Sequence, residues 1–255
     1  MARARDLLQL ILEKASAAEP VSIARVLEGD GKRQIAVLWR DEFKPPLDPA
    51  IELIVKEKLS ILESGGGVAD LTTIDVCGTP VRVALEVVRP KLKLVIFGAG
   101  HVGQAVALIG VMLGYRVLVI DDRKEFASRK RLPDPRIELL VSDFGEGAKQ
   151  ANITPGTAVV IVTRGHQSDE TCLKSVVRSR ASYLGMIGSR KRVLAVFKQL
   201  IGQGYSQDEL NRVRAPIGIK IGARTPQEIA IAILAEIIRD LNGPNSERGE
   251  TTHGI

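Results

Sequence analysis

Gly98, Gly100 and Gly103 stand in the frame G-x-G-x-x-G, and their surroundings give that spacing a chemical meaning. A short apolar run, Leu94-Val95-Ile96-Phe97, precedes them, and an apolar helical segment closed by Gly114 follows. A second apolar run, residues 117–120, ends in Asp121 and Asp122. In a dinucleotide site each glycine has a separate job: Gly98 permits the tight turn, Gly100 lets the backbone approach a pyrophosphate, and Gly103 lets helix and strand pack closely. The helix start at His101 and Val102 then offers free N–H groups and a positive dipole end to that pyrophosphate. The acid ending the second strand, about twenty positions on, can accept from ribose hydroxyls. Asp121 in that place would repel a 2′-phosphate, so a nicotinamide ligand is expected to be NAD rather than NADP. Arg123 and Lys124 pull the other way.

Two further stretches carry polar side chains where a strand gives way to a helix. The first, after an apolar strand beginning at Ala158, reads Thr163-Arg164-Gly165-His166-Gln167-Ser168-Asp169. His166 there is the candidate acid or base of the crevice, since imidazole titrates near neutrality. Asp169 reads equally as a catalytic carboxylate and, like Ser168, as an ordinary helix N-cap. The second stretch reads Gly185-Met186-Ile187-Gly188-Ser189-Arg190-Lys191-Arg192. Three cations in a first helical turn oppose the macrodipole unless an anion sits there. Gly188, Ser189, Arg190 and Lys191 therefore read as a phosphate or carboxylate cradle, against the alternative of a solvated basic face.

The elements that position these residues follow from hydrophobic patterning. Apolar strands are expected at residues 94–97, 117–120, 137–141, 158–162 and 183–187, separated by helical stretches, which is the alternation of an α/β Rossmann-type, doubly wound parallel sheet. Helices are expected at 170–177 and 191–200, the latter capped by Ser189. Ser206 with Glu209, and Thr225-Pro226 with Glu228, mark two further helix starts. The last helix, residues 229–241, is apolar on most faces and expected to be buried. Right-handed crossovers put the carboxyl ends of all parallel strands on one edge. The glycine turn, His166 and the Ser189 helix start are thus expected along a single crevice, with the 158 strand beside the 94 strand and the 183 strand beyond.

Residues 1–90 read as a separate, small α+β domain ahead of the Rossmann domain at 91–243. An N-terminal helix around Leu7, Leu8, Leu10 and Ile11 leads to strands near 21–27 and 34–39, with hairpin chemistry at Gly29-Asp30-Gly31. Asp48-Pro49 reads as N-cap and first turn of a helix stopped by Gly65, and strands near 71–76 and 81–88 follow. The linker is short, so the two domains are expected to pack together. The tail at 244–255 is polar and expected to be disordered.

Composition narrows the function. At 255 residues, 45% of them hydrophobic, the chain has ample core, and 4% aromatics is low for a protein that stacks bases. The net charge of +6 suits an anionic ligand without requiring nucleic acid. Cys77 and Cys172 stand far apart without C-x-x-C spacing, so neither a disulfide framework nor a metal site is suggested. Residues 94–115 contain no Asp, Glu, Lys or Arg, but glycines and polar residues fall in their first half and a charged strand follows. A buried strand and helix fit them better than a membrane span, and with no signal peptide ahead a cytoplasmic protein is expected.

The blocks Phe97-Gly98-Ala99-Gly100-His101-Val102-Gly103, Thr163-Arg164-Gly165-His166 with Asp169, Tyr183-Leu184-Gly185-Met186-Ile187-Gly188-Ser189-Arg190 with Lys191, and Ala215-Pro216-Ile217-Gly218 with Thr225-Pro226-Gln227-Glu228 together resemble the XdhC/CoxI family. Cys77-Gly78 resembles that family's segment just ahead of its Rossmann domain. The resemblance implies an accessory protein for molybdenum hydroxylases of the xanthine dehydrogenase and carbon monoxide dehydrogenase type. It implies binding of the molybdenum–pterin cofactor, support of its sulfuration together with a sulfurtransferase, and delivery to the apoenzyme. Dinucleotide forms of that cofactor carry a pyrophosphate, so NAD, NADP and the pterin cofactor all suit the glycine turn. An NAD(P)-dependent oxidoreductase using His166 is the alternative, and whether the chain forms a homodimer is open. Many family members carry a G-G-G-x-x-E segment in the N-terminal domain. Here residues 43–52 stand in its place with only Glu52 in register, so that half reads as shortened.

Overall fold

The computed structural model describes residues 7–9, 11, 21–28, 34–39, 42–64, 69–76, 78–88 and 91–242. Two compact units divide the chain, Met1–Pro90 and Lys91–Ile255. In the first, β1 (Val21–Glu28) and β2 (Gln34–Trp39) pair antiparallel. The expected turn at Gly29-Asp30-Gly31, Cys77, the stop at Gly65 and most of the expected N-terminal helix lie outside the described residues, as does the tail beyond 242. A short β3 (Glu42–Lys44) that patterning did not reveal extends the sheet.

Helix α1 (Pro49–Ser64) starts where expected. Asp48 Oδ1 accepts from the Ala50 N–H at 2.9 Å, and Pro49 occupies a first-turn position that has no use for an N–H. Strands β4 (Ala69–Val76) and β5 (Thr79–Val88) complete the order β3-β2-β1-β5-β4. Val81, Val83, Leu85 and Val87 alternate inward along β5 and pack with Val55 and Leu59 of α1.

The second unit runs β6 (Lys93–Phe97), α2 (His101–Met112), β7 (Arg116–Asp121), β8 (Ile137–Val141), α3 (Phe144–Gln150) and β9 (Thr157–Ile161). It continues with α4 (His166–Val176), β10 (Tyr183–Met186), α5 (Arg190–Gly202), α6 (Gln207–Asn211), β11 (Val213–Arg214) and α7 (Pro226–Asn242). All neighbouring strands are parallel, in the order β11-β10-β9-β6-β7-β8. The order reverses between β6 and β9, which is the switch point where doubly wound sheets open a crevice at their strands' carboxyl ends.

Both faces of this sheet are covered, which explains the unbroken apolar runs. Leu94 and Ile96 face a core shared with Val106 of α2 and Ile233, Leu234 and Ile237 of α7. Val95 and Phe97 face the opposite core, with Phe144, Leu173 and Val196. The expected capping chemistry is present: Ser189 accepts from Arg192 N at 3.3 Å, Ser206 and Glu209 form a capping box, and Thr225 accepts from Glu228 N at 3.3 Å. Helix α7 is less buried than expected. Ile231 and Ile238, seven positions apart on its outer face, are 52% and 36% exposed. Among the described residues no helix is long and apolar enough to cross a membrane.

Candidate functional site

Helix α2 begins at His101 with Gly100 as its cap residue, in extended conformation (φ −69°) and with no side chain capping the helix. Its first helical bond runs from Gln104 N to the Gly100 carbonyl, so the His101, Val102 and Gly103 N–H groups precede any helical acceptor. A Cβ on Gly100 would meet nothing within 4 Å. The other two glycines differ. Gly98 has φ +108°, and a Cβ there would lie 2.6 Å from the Val162 carbonyl oxygen; on Gly103 it would lie 1.9 Å from that of Gly98. Two glycines thus close the turn against neighbouring backbone, and the third leaves its front open.

Asp121 ends β7, but its carboxylate is turned inward and fully buried. Oδ2 accepts from Ala99 N at 2.7 Å and Arg123 Nη2 at 2.9 Å; Oδ1 accepts from Arg123 N at 3.0 Å and Nε at 2.8 Å. Burial alone would push this acid up, but the Arg123 guanidinium and the two backbone N–H groups hold it below the usual carboxylate range. The expectation of Asp121 as ribose acceptor is corrected: its acceptor capacity ties the glycine turn to β7. Arg123, also expected to touch the cofactor, is its bidentate partner. The outward carboxylate at this strand end is Asp122, whose side chain is 54% exposed. Partial burial and the adjoining Asp121 push it above the usual range. The acid on which a preference for NAD over NADP would rest is therefore Asp122 rather than the buried Asp121.

Asp169 likewise differs from both expected roles. Gly165 (φ 83°) is the cap residue of α4, whose helix opens at His166, earlier than patterning placed it. Asp169 sits in the first turn, fully buried, and accepts from the Thr163 hydroxyl at 2.5 Å. It is also ion-paired with Arg192 of α5, whose side chain is 24% exposed. A carboxylate consumed by a buried cation and a hydroxyl is a clamp between strand end and helices, not a free base. Arg192 is the residue that patterning undervalued: grouped with Arg190 and Lys191 as an anion cradle, it faces inward instead. Arg190 and Lys191 are exposed and, among the described residues, have no carboxylate partner. The His166 side chain lies outside the described residues.

These strand ends are adjacent. β6 pairs with β9 and β9 with β10, and the Gly98 position abuts Val162 and Thr163 at the end of β9. Thr163, Asp169 and Arg192 carry the connection on to α5. On the other side, Phe126 in the β7–β8 connection gathers the guanidinium carbons of Arg123, Arg131 and Arg164 at 3.6, 4.1 and 5.1 Å from its ring centroid. Phe126 and Arg131 went unnoticed because the connection lacks any motif; the cue was one aromatic amid five Arg and Lys at 123–131. Cys172 is fully buried in α4 and its thiol is pushed far up, chiefly by burial, so it is inert. Among the described residues, no three or more His, Cys, Asp or Glu side chains are grouped to hold a metal ion.

Residues 94–237 match the family of the XdhC Rossmann domain. The chain belongs to the XdhC family. It is similar to the uncharacterized protein YqeB of Escherichia coli (34% identity over 65% of this chain and 30% of YqeB). It is similar also to a probable xanthine dehydrogenase subunit of Bacillus subtilis (29%, over 61% and 44%) and to the molybdenum cofactor insertion chaperone PaoD of E. coli (25%, over 58% and 40%). The chain thus spans less than half the length of these curated relatives. A crystal structure described as a xanthine dehydrogenase from Bacillus halodurans shares the fold, with TM-score 0.67 and 21% identity over 94% of this chain and 68% of that one.

Proposed function

We propose that this XdhC-family chain is a maturation factor for a molybdenum hydroxylase of the xanthine or carbon monoxide dehydrogenase type. In this reading its Rossmann crevice holds a diphosphate-bearing cofactor, either NAD(P) or the molybdenum–pterin cofactor in dinucleotide form. The observation that carries it is Gly100: an extended, uncapped helix start with open space where a Cβ would be. That cradle fits a diphosphate, which needs N–H donors at close backbone approach. The names of the B. subtilis and PaoD relatives support the link to a hydroxylase and its cofactor. The bound cofactor would supply redox chemistry to the enzyme that receives it. This chain's residues bind and orient it: the first-turn N–H groups of α2 take the diphosphate, and Arg190 and Lys191 add positive potential from α5. Asp121 and Asp169 keep the loops in place.

The test is activation of a purified apo-hydroxylase by this chain in the presence of a cofactor source. Wild type should raise hydroxylase activity, Gly100→Val should not, and the chain alone should not turn over NADH or NADPH. Catalytic oxidation of NADH or NADPH by the chain alone would favour the oxidoreductase reading. Activation that survives Gly100→Val would remove the crevice from the function.

A further inference from the structure

The β7–β8 connection holds more positive charge than its own carboxylates neutralise. Within it Asp134 takes Arg136 at 2.7 Å, Arg129 donates to the Asp134 carbonyl, and Arg123 is committed to Asp121. Ala127 and Leu132 anchor the segment in the core, so the loop is built rather than loose. Arg131 and Arg164, both exposed, approach the Phe126 ring beside Arg123 and have no carboxylate partner among the described residues. With Arg123 neutralised by Asp121, the Arg131 and Arg164 guanidiniums at this ring repel one another. Cation–π attraction to the ring orients them and offsets part of that repulsion, and an anion between them would offset the rest. Planar guanidiniums held in place match the oxygens of a phosphate, which they can grip through paired N–H donors.

We propose that Arg131 and Arg164, gathered at Phe126, bind a phosphate monoester of the crevice ligand, distinct from the diphosphate taken at Gly100. The cluster stands in the connection that leaves the carboxyl end of β7, the neighbour of β6, and joins it to the loop after β9. In a Rossmann crevice this is the strand end that meets the ribose next to the diphosphate, where an arginine accommodates a 2′-phosphate. Asp121 is buried and satisfied internally, and Asp122, the outward acid at this strand end, lies 3.7 Å from the Arg123 guanidinium that offsets its charge. The inference rests on the crevice reading proposed above and deepens it: the site favours a dinucleotide bearing a third phosphate.

Calorimetric titration of the full chain with NADP+, NAD+ and inorganic phosphate tests this, with Gly100→Val and the double variant Arg131→Ala/Arg164→Ala alongside. NADP+ should bind at least about tenfold tighter than NAD+, the equivalent of one charge-assisted contact. The double variant should bring NADP+ to the level of NAD+, and the wild-type preference should shrink as salt rises. Both substituted arginines are exposed, and a thermal melt checks that the variant is folded. Equal wild-type affinities, or a preference that survives the double substitution, would overturn the inference while leaving the crevice reading intact. Phosphate binding as tight as NADP+ would also overturn it, by assigning the cluster to a free anion. Loss of both nucleotides in Gly100→Val supports the crevice reading. If neither nucleotide binds wild type, the inference fails, and the crevice reading stands only on the pterin dinucleotide.

Discussion

Arg192 and its neighbours Arg190 and Lys191 share one helical turn, yet burial separates their work. Removing Arg192 deprives the fully buried Asp169 of its cation. Arg192→Ala should therefore cost about 3 kcal/mol in urea unfolding, as expected when one partner of a largely buried pair is lost. Arg190→Ala/Lys191→Ala should stay within about 0.5 kcal/mol of wild type, since both side chains are exposed. That pair should instead weaken phosphate-bearing ligands, with the loss shrinking as salt rises. Asp121 makes a prediction in pH. Its folded value lies below the ordinary one, so its stabilisation is present above about pH 4 and is lost as pH falls through the folded value. Asp121→Asn lacks that contribution at neutral pH, so its urea stability should fall less steeply on acidification. Equal slopes would contradict the buried, donor-rich site. Asp121 and Asp169 were both legible as acids at strand ends, but no local pattern says whether such an acid faces a ligand or an internal donor. That choice depends on Arg123, Ala99, Arg192 and Thr163, brought in by tertiary packing.

At the scale of elements the glycine turn divides into parts with opposite tolerance. A Cβ on Gly103 would collide with the Gly98 carbonyl, so Gly103→Ala must push α2 off the end of β6. It should destabilise by several kcal/mol, about 3 or more, or prevent folding. A side chain on Gly100 meets open space, so Gly100→Val should keep the thermal midpoint within about 5 °C of wild type while abolishing dinucleotide binding. A melt and a titration on the two variants check both outcomes. The glycine spacing was readable because each position has a distinct steric need; β6, β7, β9 and β10 were readable by their apolar runs, and β8 by a run broken only by Glu138. β3 and β11 were not: with three and two residues they carry too little periodicity to register. The start of α4 was misplaced because Gly165 caps it by its positive φ, leaving the conspicuous Ser168 and Asp169 inside the first turn.

At the scale of the whole molecule, the handedness of parallel crossovers did most of the predicting. It places the glycine turn and the starts of α4 and α5 on one edge, and the order β11-β10-β9-β6-β7-β8 has β9 beside β6 with β10 beyond it, as expected. The basic ring around Phe126 escaped because its members come from separate strand connections, and only the closed sheet brings Arg164 to Arg131. A net charge of +6 spread over such clusters is compatible with the anionic ligand proposed for the crevice. The most direct measurement is mass spectrometry of whatever small molecule copurifies with the native chain and with Gly100→Val. A diphosphate-bearing nucleotide or pterin cofactor should accompany wild type at near one per chain and be missing from the variant. Retention of the same molecule by Gly100→Val, or a wild-type chain that carries and binds no such compound, would contradict the Rossmann crevice as the seat of function.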